Sequence, residues 1–206
     1  MKKFSTILIL FSTVTFLAFC SGGKSSKGTE PANLTSEEKK AIGSIRTFLD
    51  HVKNSENNEK QTKKALARID TEYVSNFLIN NELSKLNDTD KKDYTNAIEE
   101  HIKLRAFPTA HKYFSKIDLV YYKPVYKENT IVVPSILLYK GKDKVTFSWI
   151  VKKSDLKIID LLNEKGASSM SESRDKQILP YYKKQGIRGL IDRLDKINAK
   201  LAKKIK

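Results

Sequence analysis

Apolar residues recur every three or four positions in the first part of the chain, which predicts amphipathic helices. Thr35 precedes the first of these stretches and can cap a helix. A second stretch covers residues 60–69, and Asp70 and Asn87 begin two more. We expect the last to reach about residue 104, where Pro108 weakens its end. The stripe of the first helix consists of Ile42, Ile45, Phe48, Leu49 and Val52.

From residue 116 the pattern changes to the alternation that is typical of strands. Four strands are predicted, at residues 117–122, 130–139, 145–151 and 156–162. Short turns connect the last three, so the strands form an antiparallel meander. In the third strand one face carries Val145, Phe147, Trp149 and Val151.

Helical spacing returns after Gly166. One helix is predicted from residue 170 to 185, bent near Pro180, and Gly186 separates it from a final helix. The order of helices, four strands and helices predicts the α+β class. We expect an antiparallel meander sheet of about four strands, covered by the N-terminal and C-terminal helices.

Composition narrows the range of partners. The chain has 206 residues, of which 39% are hydrophobic, and its formal net charge is +15. This length fits one domain with a real core, and the single cysteine excludes an internal disulfide. The positive charge favours an anionic partner, such as nucleic acid, anionic lipid or an acidic protein.

The N-terminus indicates export. Lys2 and Lys3 precede an apolar run over residues 4–19 that is too short to span a bilayer. The run ends at Cys20 and resembles a bacterial lipoprotein signal, in which this cysteine is acylated. A plain secretory signal, cut between positions 18 and 22, is the alternative and would leave a soluble periplasmic protein.

The chain therefore divides into three parts. These are a signal peptide at residues 1–20, a flexible polar tether at 21–34 and one folded domain at 35–206. Export to the periplasm removes the chain from nucleic acid. The basic surface is then better matched to anionic headgroups or to an acidic partner.

The sequence carries no recognisable catalytic or metal-binding motif. His51, His101 and His111 lack a ligand partner at helical spacing, and no nucleophile or phosphate-loop motif occurs. We therefore expect neither an enzyme nor a cofactor or metal. An envelope hydrolase using His101 or His111 stays a third hypothesis, since it would need a nucleophile and a carboxylate nearby.

Two features have both a structural and a functional interpretation. The aromatic and aliphatic residues of the sheet either fill a core or line an apolar cavity between sheet and helices. The basic C-terminal helix, from Lys183 onward, either packs with a solvated face or docks onto an anionic surface. Periodicity does not distinguish these alternatives.

The end of the sheet and the segment after it contain Asp160 and Glu164, residues 166–168, Arg174 with Asp175, and residues 186–194. In this order these residues resemble the MlaC family of periplasmic phospholipid-binding proteins. The resemblance implies a deep apolar pocket that takes the acyl tails of a phospholipid. It also implies exchange of lipid with a membrane surface and with an ABC transporter that has an MCE-domain component, in support of outer-membrane lipid asymmetry.

The leading hypothesis is a monomeric, non-enzymatic phospholipid carrier, anchored through Cys20. The runner-up is an envelope lipoprotein of similar fold with a filled core, which binds an acidic partner. Strand parity allows only about half of the candidate lipid-binding residues to face one cavity. These candidates are Phe77, Phe107, Leu119, Tyr121, Ile136, Leu138, Phe147, Trp149, Ile159 and Leu161.

Overall fold

The computed structural model describes residues 31–114, 117–139 and 143–205. Helices precede and follow the sheet in the sequence. They are α1 (Ser36–Lys53), α2 (Glu59–Leu66), α3 (Thr71–Leu78), α4 (Asp88–His101), α5 (Phe107–Phe114), α6 (Ser169–Ser173) and α7 (Leu179–Ile205). Two π-helical segments, π1 (Ile102–Ala106) and π2 (Arg174–Ile178), join α4 to α5 and α6 to α7, and a short 3-10 helix covers Leu83–Lys85.

The predicted helix starts are confirmed by their caps. The Thr35 hydroxyl accepts a hydrogen bond from the Glu38 backbone N–H at 3.2 Å, and the Glu38 carboxylate accepts one from the Thr35 N–H at 2.6 Å. This reciprocal pair is a capping box. Asp70 and Asn87 cap α3 and α4 through their side-chain oxygens. The caps satisfy N–H groups that the first helical turn leaves without intrahelical partners.

The sheet is antiparallel, as the sequence predicts. Its strands are β1 (Ile117–Tyr121), β2 (Val125–Tyr126), β3 (Thr130–Tyr139), β4 (Asp143–Lys152) and β5 (Ile158–Leu162). The order β1-β3-β4-β5 is a meander, and β2 pairs with β3 beyond the end of β1. The sequence did not indicate the two-residue β2. With helices on one face of this sheet, the α+β class is confirmed.

Two prolines lie in the second position after a π-helical segment. The sequence predicts that Pro108 weakens the end of a helix, but the helix continues through π1 and α5 to residue 114. The proline ring clashes with the carbonyl four residues earlier, and for Pro108 and Pro180 these carbonyls belong to Leu104 and Lys176, within π1 and π2. The wider π turn displaces that carbonyl, so the helices continue past both prolines.

The described chain is folded from close to its first residue. Leu34, at the end of the predicted tether, is buried in the core together with α1. The predicted signal peptide, Cys20 and the tether up to residue 30 lie outside the described residues. Within the described ranges, no helix combines the length and the apolar character that crossing a membrane requires.

Candidate functional site

The helices cover one face of the sheet, which we call the inner face. Directly paired residues in antiparallel strands share a face, and the pairs Val133–Trp149 and Ser135–Phe147 place both strands on this side. The same register adds residues of β1 and β5. The inner face consists of Leu119, Tyr121, Ile131, Val133, Ser135, Leu137, Val145, Phe147, Trp149, Val151, Ile158 and Leu161.

Burial changes along the inner face. Val133, Trp149 and Val151 are at most 1% exposed and lie toward the end of the sheet where β3 begins. Phe147 and Leu119, toward the connection between β3 and β4, are only half-buried although they pack against the core. Leu137 of the central strand β3, at the same end, is 7% exposed. The face is therefore sealed by helices at one end, whereas at the other the side chains of Leu119 and Phe147 are incompletely covered.

Four aromatic rings form a continuous chain from the helices to the sheet. Phe48 of α1 lies 6.1 Å from Phe107 and 6.0 Å from Trp149, between ring centroids. Trp149 in turn lies 5.5 Å from Phe147. All three pairs are edge-to-face, the arrangement that the ring quadrupoles favour. The chain of rings connects the sealed end of the inner face to its half-buried end.

The inner face is chemically apolar. Its one aliphatic hydroxyl belongs to Ser135, which is fully buried and donates to the backbone carbonyl of Val133 at 3.3 Å. The Arg46 guanidinium lies 5.2 Å from the centroid of the Tyr121 ring. None of the twelve inner-face side chains named above is charged, so this described part of the face suits hydrocarbon and offers no strong nucleophile.

Six of the ten candidate lipid-binding residues lie together between sheet and helices. Phe107 comes from α5, and the other five belong to the inner face. The six are Phe107, Leu119, Tyr121, Phe147, Trp149 and Leu161. The structure thus places more than half of the set around one apolar layer.

Three candidates do not face this layer. Ile136 and Leu138 point to the opposite, outer face, because β3 alternates and its inner positions are 131, 133, 135 and 137. Ile159 is the extra residue of a β-bulge, since Ile150 pairs with Asp160 while Val151 pairs with Ile158. Ile159 is buried but lies outside the main core cluster.

Phe77 occupies a separate environment on α3. Its ring stacks on Tyr73 with a centroid distance of 6.5 Å, and the Arg174 guanidinium lies 4.5 Å above it. It is half-buried at the margin of the core. Phe77 therefore packs at the contact between α3 and π2.

Sequence reasoning missed Phe48 and Ile158 as members of the layer. Phe48 was visible in the stripe of the first helix, but its position between Phe107 and Trp149 depends on the tertiary packing. Ile158 reaches the inner face only because of the bulge after it. The apolar β5 sequence carries no signal for that bulge.

Asp160 and residues 166–168, which carry part of the family resemblance, build a turn. The Asp160 carboxylate accepts hydrogen bonds from the Ser168 hydroxyl and from the Leu161 and Met170 backbone N–H groups. Burial raises the pKa of Asp160 despite these three donors. Gly166 adopts φ +76, which favours glycine. This cluster fixes the path from β5 into α6.

The histidines lie apart and have structural contacts. His101 joins α4 to α7 through Asn198 at 2.9 Å, and burial lowers its pKa to about 4. His111 lies 3.0 Å from the Glu56 carboxylate, and His51 hydrogen-bonds Gln61 at 2.8 Å. Among the described residues, no group of three or more His, Cys, Asp or Glu side chains is arranged to hold a metal ion.

The fold is similar to that of a solved lipid complex. It matches the phospholipid-binding protein from Ralstonia solanacearum, determined with a phospholipid bound, with a TM-score of 0.66. The match covers 82% of this chain and 99% of the other at 16% sequence identity. The chain therefore has the same fold as that protein. No family model and no curated protein matches the sequence.

Proposed function

We propose that this protein binds a phospholipid and is a non-enzymatic lipid carrier of the bacterial cell envelope. The acyl chains lie against the inner face, between sheet and helices, and the headgroup stays outside. The proposal includes anchoring through Cys20, a periplasmic location and exchange of lipid with a membrane or an ABC transporter that has an MCE-domain component. These last features follow from the resemblance to the MlaC family and from the leader sequence.

The observation that carries the proposal is the half-buried, uncharged end of the inner face. Leu119, Val145 and Phe147 are apolar and packed on the core, yet the helices leave them partly uncovered. A fold similar to that of the Ralstonia phospholipid complex makes acyl chains the ligand of choice for such a surface.

The energetics explain why a carrier needs this chemistry. A phospholipid has roughly thirty methylene-like carbons, and at ~0.8 kcal/mol per CH₂ their exposure to water costs on the order of 20 kcal/mol. Only enclosure by apolar side chains offsets a cost of that size. Such side chains need no particular polar group, which accounts for a site without a catalytic motif.

A packed interior favours a second candidate, which is the envelope lipoprotein with a filled core that binds an acidic partner. Phe48 contacts both Phe107 and Trp149 edge-to-face, and Trp149 is 1% exposed. These contacts close the sealed end of the layer without any ligand. The basic α7 would then contact an acidic partner.

Native mass spectrometry of the full chain, purified from cells without detergent, separates the two candidates. The carrier shows an adduct of phospholipid mass that denaturing spectra lose, whereas acylation of Cys20 persists under denaturation. Bare polypeptide in the native spectrum would contradict lipid binding.

Matched substitutions locate the lipid. Phe147→Asn and Leu119→Asn place an amide on the half-buried part of the inner face, and both should lower the adduct fraction several-fold. Leu138→Asn is the control, because Leu138 lies on the outer face of the neighbouring strand. Equal loss in all three variants, with folding intact, would place the lipid elsewhere.

A further inference from the structure

The hairpin between β1 and β3 exposes an unusual group of apolar side chains. Tyr122 is 46% exposed, Val125 53% and Tyr126 37%, and these are three of the four most exposed large hydrophobic residues in the described chain. Exposed apolar groups of this kind mark interaction surfaces more often than scattered single residues do. We call these three residues, with Lys123 and Lys127, the hairpin patch.

The backbone holds the hairpin patch in place. Val125 pairs with Val132 and Tyr126 with Ile131, and the Tyr122 N–H donates to the Pro134 carbonyl at 2.8 Å. The Lys127 N–H donates to the Thr130 carbonyl at 2.9 Å and closes the turn. The exposed side chains therefore stand on a fixed edge of the sheet.

The patch lies around the edge of the sheet, because Tyr126 pairs with the inner-face residue Ile131, whereas Val125 continues into the outer face. Val125 pairs with Val132, which pairs with Ile150, so an apolar row crosses three strands on that side. Tyr122 follows the inner-face residue Tyr121 and extends the row at the β1 end. An apolar row with exposed tyrosine at its margin matches the composition of a protein surface at a membrane interface.

Cations surround the exposed side chains. Lys123 is 71% exposed and lies 4.0 Å from the buried Glu38 carboxylate, and Lys153 lies 5.5 Å from the centroid of the Tyr126 ring. Glu37 and Glu128 are the nearby exposed acids. Lysine stems cover apolar surface while their ammonium groups reach phosphate, an arrangement suited to lipid headgroups.

We propose that the hairpin patch is the surface by which this protein docks on an anionic phospholipid bilayer. The inference rests on the proposed function, because a carrier of phospholipid must meet a bilayer to load and unload. The full sequence has a net charge of +15, and removal of the predicted signal peptide with Lys2 and Lys3 leaves 15 − 2 = +13, which attracts the protein to anionic lipid. Tyr122, Val125 and Tyr126 then enter the interfacial layer. The patch also lies beside the start of α1, since Tyr126 is next to Thr35 and Lys123 reaches Glu38.

Amide hydrogen exchange of the full chain tests the docking surface. The probe is a vesicle of neutral and anionic phospholipid in a 7:3 ratio, compared with a purely neutral vesicle. Exchange in peptides covering residues 122–127 should slow several-fold on the anionic vesicle and not on the neutral one, because the lysines draw the hairpin to anionic lipid and the docked surface is shielded from water. Peptides of α3 serve as the internal reference, because Tyr73 there is 42% exposed, as the hairpin tyrosines are, but lies outside the hairpin patch.

Substitutions define the chemistry of docking. Tyr122→Ser with Tyr126→Ser, or Lys123→Glu with Lys127→Glu, should remove the protection. Tyr73→Ser on α3 and Lys200→Glu on α7 are the matched controls and should keep it. The proposal is overturned if the chain floats with anionic vesicles while its hairpin amides stay unprotected. It is also overturned if the chain binds no vesicles, or if only a protein partner protects the hairpin.

Native mass spectra of the same variants separate this inference from the proposed function. The hairpin variants should retain the phospholipid adduct, because their changes lie at the edge of the sheet beside β2, away from Leu119 and Phe147 at the half-buried end of the inner face. An adduct without hairpin protection overturns the docking surface alone. Hairpin protection without any adduct overturns the carrier function and leaves the docking surface standing.

Discussion

His101 is a buried base whose protonation state follows from its neighbours. The Asn198 amide donates its N–H to the Ala97 carbonyl at 2.9 Å, so its oxygen faces His101 Nδ1, also at 2.9 Å. Nδ1 must therefore carry the proton, and the buried Nε2 is a bare acceptor. Burial lowers the pKa to about 4, and the Arg105 charge adds to this, while the bond to Asn198 opposes it.

This environment predicts a loss of stability in mild acid. The pKa of His101 falls from 6.5 to about 4 on folding, so between these values the unfolded chain binds the proton and the folded chain does not. Stability then decreases as the pH falls through this window, by about 2 to 3 kcal/mol between pH 7.5 and 4.5. Urea unfolding at several pH values measures the free energy directly.

His101→Gln removes this titratable group, so the decrease in unfolding free energy between about pH 7.5 and 4.5 should become smaller by most of that amount. His111→Gln is the control, because His111 is less buried and faces the Glu56 carboxylate, and it should keep the slope. A slope that survives His101→Gln unchanged would assign the acid sensitivity to another group.

Individual side chains also show where sequence reasoning reaches its limit. The alternation of β4 placed Phe147 and Trp149 on one face correctly, because that strand is regular up to Ile150. In β5 the alternation fails, since the bulge brings Ile158 to the inner face in place of Ile159. In β3 both faces are apolar, so the pattern gave no means to prefer Leu137 over Leu138.

At the scale of elements, Gly186 permits the bend in α7. Its φ of +67 and ψ of −175 lie in a region that is open essentially to glycine alone. Gly186→Ala should therefore destabilise the fold by about 1 to 3 kcal/mol, although no atom would contact the new methyl group within 4 Å. Thermal unfolding monitored by circular dichroism gives the change.

Gly43→Ala is the matched substitution. Gly43 lies inside α1, and a Cβ there also meets nothing within 4 Å, so only the helical backbone decides the outcome. This change should stabilise the protein by about 0.5 to 1 kcal/mol. Equal effects of the two substitutions would show that the φ of Gly186 imposes no constraint.

The capping box at the start of α1 gives a further prediction at this scale. Thr35→Ala removes the hydroxyl that accepts from the Glu38 N–H, whereas the backbone N–H at position 35 can still donate to the buried Glu38 carboxylate. The expected loss is about 1 kcal/mol of unfolding free energy, measured by urea titration. Ser36→Ala, at the exposed first residue of α1, should change stability by much less, and equal losses would contradict the capping role.

Element boundaries were predictable where a local group sets them. Thr35, Asp70 and Asn87 start helices through their own side-chain oxygens, a short-range effect that the sequence displays. The continuation of the helix past Pro108 depends instead on the π turn before it. Strand β2 depends on pairing with the distant β3, and such long-range causes leave no local pattern.

In the molecule as a whole, fold stability, the proposed lipid binding and the proposed bilayer docking depend on three different groups of side chains. The sealed end of the inner face, around Trp149 and Val151, stabilises the fold. The half-buried end, at Leu119 and Phe147, is the proposed place for acyl chains. The hairpin patch lies at the sheet edge, away from the half-buried end, so binding a lipid and meeting a bilayer can be altered independently.

A ligand that fills the half-buried end should also stabilise the entire domain. Binding to the folded state alone adds about 2.7 kcal/mol when free ligand is at 100 times its dissociation constant. For a domain of this size that gain raises the melting temperature by roughly 5 to 10 °C. Scanning calorimetry of the protein as purified, after delipidation, and after addition of phospholipid measures the difference.

Delipidation should lower the melting temperature, and phospholipid should restore it. Phe147→Asn should reduce the restored difference, because its amide disturbs the surface that receives the chains, whereas Leu138→Asn on the outer face should preserve it. A melting temperature that is indifferent to lipid in the wild-type chain would mean that the helices and sheet complete their packing alone. The filled core would then be the correct description of the interior.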